Sequence, residues 1–118
     1  MTVNKRIIGA LSGFGNPVVP NVYDGKGDIY YTFNFSTFPI NFGDNVPLHE
    51  RFLVQVHFVC PPEFNYVSRC AKTRRLLHEA GFSWPTMINA TTEYRNSGAD
   101  YQHFVFECEL VDGLDADG

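Results

Sequence analysis

The stretch RFLVQVHFVC, residues 51–60, followed at once by Pro61 and Pro62, constrains the fold of this chain more than any other segment. Apolar residues recur at every second position, Phe52, Val54, Val56, Phe58 and Cys60, while Arg51, Leu53, Gln55, His57 and Val59 fill the alternate ones. A period of two is that of a β-strand, whose successive side chains point to opposite faces, so this pattern predicts a strand with Cys60 on the core face and His57 on the other. The two prolines end it, because neither can donate to a ladder. Its histidine and cysteine therefore do not converge on one ligand, and Cys60 reads as a small buried hydrophobe.

Two further segments alternate in the same way. DIYYTFNFSTF, residues 28–38, sets Ile29, Tyr31, Phe33 and Phe35 against Tyr30, Thr32, Asn34 and Ser36. In the last strand Phe104, Phe106, Cys108 and Leu110 face in, and Tyr101, His103, Glu107 and Glu109 face out. Residues 86–95 predict a fourth strand, joined to the last by the NSGAD turn, residues 96–100, as a hairpin. Between the first and second strands PINFGDNVPLHE, residues 39–50, reads as a loop with exposed Phe42 and Leu48. Its length suits either a contact loop or a merely flexible one.

Helical spacing governs YVSRCAKTRRLLHEA, with Asn65 as N-cap, Gly81 in the C′ position and an inward stripe of Val67, Cys70, Leu77 and Ala80. Arg69, Lys72 and Arg75 fall on its other face, and with Arg74 they make four of the nine basic residues of the chain. That face is either simply solvated or the contact for an acidic partner surface. A second, short helix is predicted near the amino terminus, where IIGAL is too short and too soon interrupted by Ser12 and Gly13 for a signal-peptide core. Sixteen residues rich in glycine and proline follow as turns. The predicted order is α-β-β-α-β-β: an α+β fold, a mostly antiparallel four-stranded sheet with two helices on one face. Residues 1–111 form a single domain, and 112–118 a small, acidic, disordered tail.

The chemistry-bearing residues fail the tests of spacing. The 118 residues carry a net charge of −4, against nonspecific nucleic-acid binding, which needs a basic surface. Cys60, Cys70 and Cys108 are odd in number and include no CxxC, so a reducing compartment fits better than a secreted disulfide framework. His49, His57, His78 and His103 never take zinc-motif spacing, which leaves no metal or cofactor expected. GALSGFG falls short of a nucleophile elbow, and neither Gly13-Phe-Gly15 nor Gly25-Lys-Gly27 completes a nucleotide-binding motif. Glu107 and Glu109 project in parallel from one strand about 7 Å apart, rather than facing each other across a cleft, which suits a solvated or interface face. No run approaches a membrane span.

Taken in order, ERFLVQVHFVCP, the helix ending RLLHEAGF and the closing strand YQHFVFECEL resemble the tail terminator (tail completion) proteins of long-tailed bacteriophages, over roughly residues 20–111. The resemblance implies a non-enzymatic virion protein, assembled in the bacterial host cytoplasm, whose copies form a ring, commonly a hexamer. Such a ring caps the tail tube and joins it to the head-side connector, with DNA passing only through its lumen. In that setting Arg69, Lys72 and Arg75 would face Glu107 and Glu109 of the next copy, and Phe42 and Leu48 would touch a tube or connector neighbour. Another connector or minor tail protein of the same fold, or a small ligand-binding α+β domain, remain the alternative expectations.

Overall fold

The alternation in residues 51–60 holds in space, and the strand that carries it sits at the centre of the sheet. The computed structural model describes residues 2–91 and 101–113. Its elements are α1 (Val3–Leu11), a 3-10 turn (Ser12–Phe14), β1 (Val18–Pro20), β2 (Tyr30–Gly43), β3 (Val46–Cys60), α2 (Tyr66–Glu79), β4 (Thr86–Asn89) and β5 (Gln102–Gly113). The strands form one sheet in the order β1-β2-β3-β5-β4. The α+β class is as expected, but the sheet has five strands rather than four and is mixed, because β1 runs parallel to β2. Three residues with a proline at the end leave no alternation to read. β1 is held by its bonds to β2, with Tyr31 N–H donating to the Pro17 carbonyl and Asn21 N–H to that of Phe33.

Both helices lie on one face. Across it the register aligns Tyr31 with Phe58 and Phe104, Phe33 with Val56 and Phe106, and Phe35 with Val54 and Cys108. Val3, Ile7 and Leu11 of α1 and Cys70, Thr73 and Leu77 of α2 close over these rows, together with Phe82. One polar chain crosses this core. Thr73 Oγ1 donates to the Arg69 carbonyl at 2.7 Å, which spends its only proton, so the buried Tyr31 hydroxyl must be the donor in its 2.8 Å contact with Thr73.

The start of α1 and the end of α2 have specific capping partners. Thr2 caps α1 by accepting from Lys5 N–H. At the far end of α2, Gly81 takes φ +107° in the C′ position that the sequence assigned to it, and Arg6 of α1 donates to the Ala80 carbonyl at 2.8 Å. A guanidinium there also meets the negative end of the helix dipole. Asn65 stands in the N-cap position as expected but forms no side-chain cap bond. Val67 departs from the predicted inward stripe and is 66% exposed, Thr73 taking a core position instead.

The main departure lies in residues 39–50, which are not a loop. β2 and β3 keep one register from Tyr30–Val59 to Gly43–Val46, with a single gap at Asn41, whose φ is 54°, and the chain turns on Asp44 and Asn45. Both have positive φ, 51° and 64°, the requirement of a type I′ hairpin turn, whose twist matches that of its strands. The result is an arm extending past the helix layer. β5 also runs further than expected, pairing Asp112 with Glu50 and Gly113 with His49, so these two residues belong to the sheet and not to the tail. The expected 96–100 turn and residues 114–118 lie outside the described residues.

Candidate functional surface

No described helix lies on the second face of the sheet, which the segment after β1 covers only at one end, where Tyr23 packs on Tyr30 and Val59 is buried. Pairing lines up four rows on it: Tyr30–Val59–His103, Thr32–His57–Val105–Ile88, Asn34–Gln55–Glu107–Thr86 and Ser36–Leu53–Glu109. The members from β2, β3 and β5 come from the alternate positions of strands whose other half builds the core, so one period makes both faces. A shallow groove of about 550 Å³ runs over it between Asn34, Leu53, Gln55 and the two glutamates. Gln55 Nε2 donates to Glu107 at 3.4 Å, and Arg51 Nε stands 4.0 Å from Glu109 with both side chains about half exposed. An ion pair so exposed contributes little to stability. Glu107 and Glu109 therefore sit on one open face, as expected.

His57 and His103 meet on this face. Their strands are adjacent and their rows consecutive, which places His57 Nδ1 2.9 Å from His103 Nε2 with the rings nearly parallel. Burial lowers the pKa of His57. The same cause, with His57 beside it, pushes His103 down to about 4. The sequence showed both side chains pointing outward. Their contact depends on the β3–β5 register, which no local spacing reveals.

The basic helix face is smaller than the sequence implies. Lys72 and Arg75 are exposed, but Arg69 turns inward. Its guanidinium carbon lies 4.2 Å from the centre of the Phe14 ring, 5.2 Å from Phe64 and 5.4 Å from Phe58, and its Nη1 donates to Asn16 Oδ1 at 2.8 Å. An aromatic well assembled from three elements takes a delocalised cation that a solvated face would leave in water. Arg74 is likewise engaged, donating to the Pro85 carbonyl and lying over Trp84. Lys72 and Arg75 are the part of the expected contact that stays available. They lie on the helix layer, on the opposite side of the sheet from Glu107 and Glu109.

Phe42 and Leu48 occupy the arm, 62% and 52% exposed, and Phe38 and Val46 beside them are also exposed. The outer edge of β2 carries no partner strand beyond Phe33 among the described residues. Since Tyr31 and Phe33 direct their backbone groups toward β1, the period of two directs those of Phe35 and Thr37 the same way, past the end of β1. Pro39 then removes the next donor. At the opposite edge β4 is short, and all four of its residues are exposed.

The three cysteines are free and buried, and burial pushes their thiols up to about 11 for Cys60 and Cys70 and about 12 for Cys108, so they stay protonated. Among the described residues no three His, Cys, Asp or Glu side chains converge as metal ligands. No described helix is long and apolar enough to cross a membrane. Compared with models of protein families and with curated proteins, the chain finds no match in either.

Proposed function

We propose that the chain is a non-enzymatic assembly subunit whose copies close into a ring, acting as the tail terminator proteins of long-tailed bacteriophages act: capping the tail tube and joining it to the head-side connector. The observation that carries this reading is the arm. It exposes Phe38, Phe42, Val46 and Leu48 on a strand pair that the helix layer does not cover, and its outer edge offers the backbone groups of Phe35 and Thr37 to another strand. Exposed edges of this kind are normally blunted or paired, and a neighbouring copy is the partner that a symmetric assembly supplies.

Charge placement supports a head-to-tail contact. Lys72 and Arg75 lie on one side of the sheet and Glu107 and Glu109 on the other, so one copy can present its basic side to the acidic side of the next, and the operation repeats until the ring closes. The groove on the open face is shallow and lined by amide and carboxylate groups, unlike the enclosed apolar pocket of a small-ligand domain.

The test is the solution mass of the purified chain over a concentration series, with negative-stain imaging of any large species. Rings of about six copies, weakened by joint Phe42→Ser and Leu48→Ser and by charge reversal at Lys72 and Arg75, are the expected result. Deleting residues 41–46 should leave the helix-covered core folded and abolish tail joining. A chain that stays monomeric at every concentration and in the presence of tube protein, or arm variants that assemble and join tails normally, would refute the reading.

A further inference from the structure

From the meeting of His57 and His103 on the sheet face opposite the helices we infer a two-imidazole chelating site for a late first-row divalent cation such as Cu²⁺, Ni²⁺ or Zn²⁺. The geometry is that of two neighbouring ligands of one metal. Imidazole nitrogens bind such ions at about 2.0–2.1 Å, so two of them in cis positions at a right angle are separated by about 2.9 Å, and in a tetrahedral shell by about 3.3 Å. The observed separation of His57 Nδ1 and His103 Nε2 is 2.9 Å. In the metal-free chain this separation is an N–H···N hydrogen bond between the rings, so binding a cation moves the donor ring's proton to its other nitrogen, and small rotations then turn the two lone pairs toward a shared point above the sheet.

The backbone supports those rotations without itself having to move. His57 lies in the middle of β3 and His103 near the start of β5, in consecutive rows of a paired register, so both Cα positions are fixed by ladder bonds on rigid strands. The site opens onto a recess of about 310 Å³ bordered by Tyr23, Tyr30, Thr32 and Val59, which leaves room for waters to complete the shell. Binding through Nδ1 of His57 requires its proton on Nε2. There the Asn34 side-chain amide, 3.5 Å away, can turn its oxygen to accept, the outer contact that fixes the tautomer of a metal-bound histidine.

The pattern explains why motif spacing misses the site. Zinc motifs place their ligands on one turn or one short loop, whereas here the ligands are forty-six positions apart and joined only by strand pairing. With two protein ligands, the affinity expected is that of a chelate with solvent in the remaining positions, moderate and selective for imidazole-seeking ions over Mg²⁺ or Ca²⁺.

The experiment titrates the metal-free full chain with Cu²⁺, following heat and the nitrogen hyperfine pattern in electron paramagnetic resonance. One Cu²⁺ per chain with two nitrogen ligands is expected. His57→Gln and His103→Gln should each weaken binding at least roughly tenfold, while His49→Gln and His78→Gln leave it unchanged. Should either site variant fail to fold, imidazole signals of the unmodified chain decide: substoichiometric Cu²⁺ should broaden those of His57 and His103 first. Absence of stoichiometric binding, binding that survives loss of both histidines, or broadening centred on His49 or His78 overturns the inference. Failure here would leave the ring reading standing, since its test is mass and tail joining without metal.

Discussion

Replacing Arg69 by alanine separates the two descriptions of α2, one in which its arginines are a solvated contact face and one in which this arginine belongs to the fold. The guanidinium stands 4.2 Å over Phe14, faces Phe58 and Phe64 and donates to Asn16. A partly desolvated cation over an aromatic face contributes about 1–2 kcal/mol and a hydrogen bond from a charged donor about 1.5–3 kcal/mol. Both come from one group and Asn16 regains water when it is removed, so the terms overlap and the expected loss is about 2–4 kcal/mol. With an unfolding entropy of about 2.1 cal/mol/K per residue, this lowers Tm by roughly 8–16 °C. Arg69→Lys restores only part, because an ammonium neither stacks on the rings nor keeps the fork geometry. Lys72→Ala and Arg75→Ala, on exposed positions, should stay within about 0.5 kcal/mol of the parent. Urea and thermal unfolding of the four variants measure all of this on the isolated chain. An Arg69→Ala protein as stable as the parent, or less affected than Lys72→Ala, would mean that the guanidinium lies in solvent and that the aromatic well is not its place.

Two other outcomes follow from the same kind of accounting. Tyr31→Phe removes the donor to Thr73 but leaves Thr73 its bond to the Arg69 carbonyl, so urea unfolding should show a loss of about 1–2 kcal/mol with an unchanged m-value. The histidine pair makes stability fall in mild acid: in the unfolded chain both rings titrate near the ordinary value of about 6.5, in the folded chain lower, so the unfolded state binds more protons as pH falls from about 6.5 toward 4. That stability is fully present above about pH 6.5 and, discounted for half-exposed rings, amounts to about 1–2 kcal/mol. Unfolding in chelator-containing buffer near neutrality and near pH 5 measures it, and a His57→Gln, His103→Gln double variant showing the same decline would assign the loss to other groups.

Where the sequence was informative, burial differed between the two sides of an element. β3 and β5 have one face under helices and one that no described helix covers, so their alternation survives in the letters and gave both the core and the outward glutamates and histidines. The arm has no such asymmetry. Both its faces are uncovered, its apolar residues lose their period, and Pro39, Gly43 and Pro47 imitate a loop, although Asp44-Asn45 carries the composition of a two-residue hairpin turn. Arg69 and Val67 fail for a different reason. Their exposure is set by where α2 meets the 3-10 turn and the β3–α2 connection, and by the Phe14, Phe58 and Phe64 rings, contacts that no helical period encodes. The histidine contact needed the β3–β5 register, which is a property of the sheet.

The same asymmetry bears on what the arm is for. Rows from Tyr31–Phe58–Phe104 to Thr37–Phe52–Leu110 are covered or flanked by helices, and the core ends there. Ordering each further residue costs about 1–2 kcal/mol in backbone entropy, and the arm, which has three strands only as far as Ile40–His49–Gly113 and two beyond and leaves Phe38 and Phe42 in water, recovers little of it. The arm should therefore open locally at far lower free energy than the core, unless a partner covers it. Amide exchange on the isolated chain and on the assembled species tests this directly. In the isolated chain the amides of Phe38–Leu48 should exchange orders of magnitude faster than those of Val56 and Phe106, and on assembly their protection should rise toward that of the core. An arm as protected in the monomer as β3 itself would show that its order owes nothing to a neighbour, and an arm that stays unprotected in the ring would place the contact between copies elsewhere.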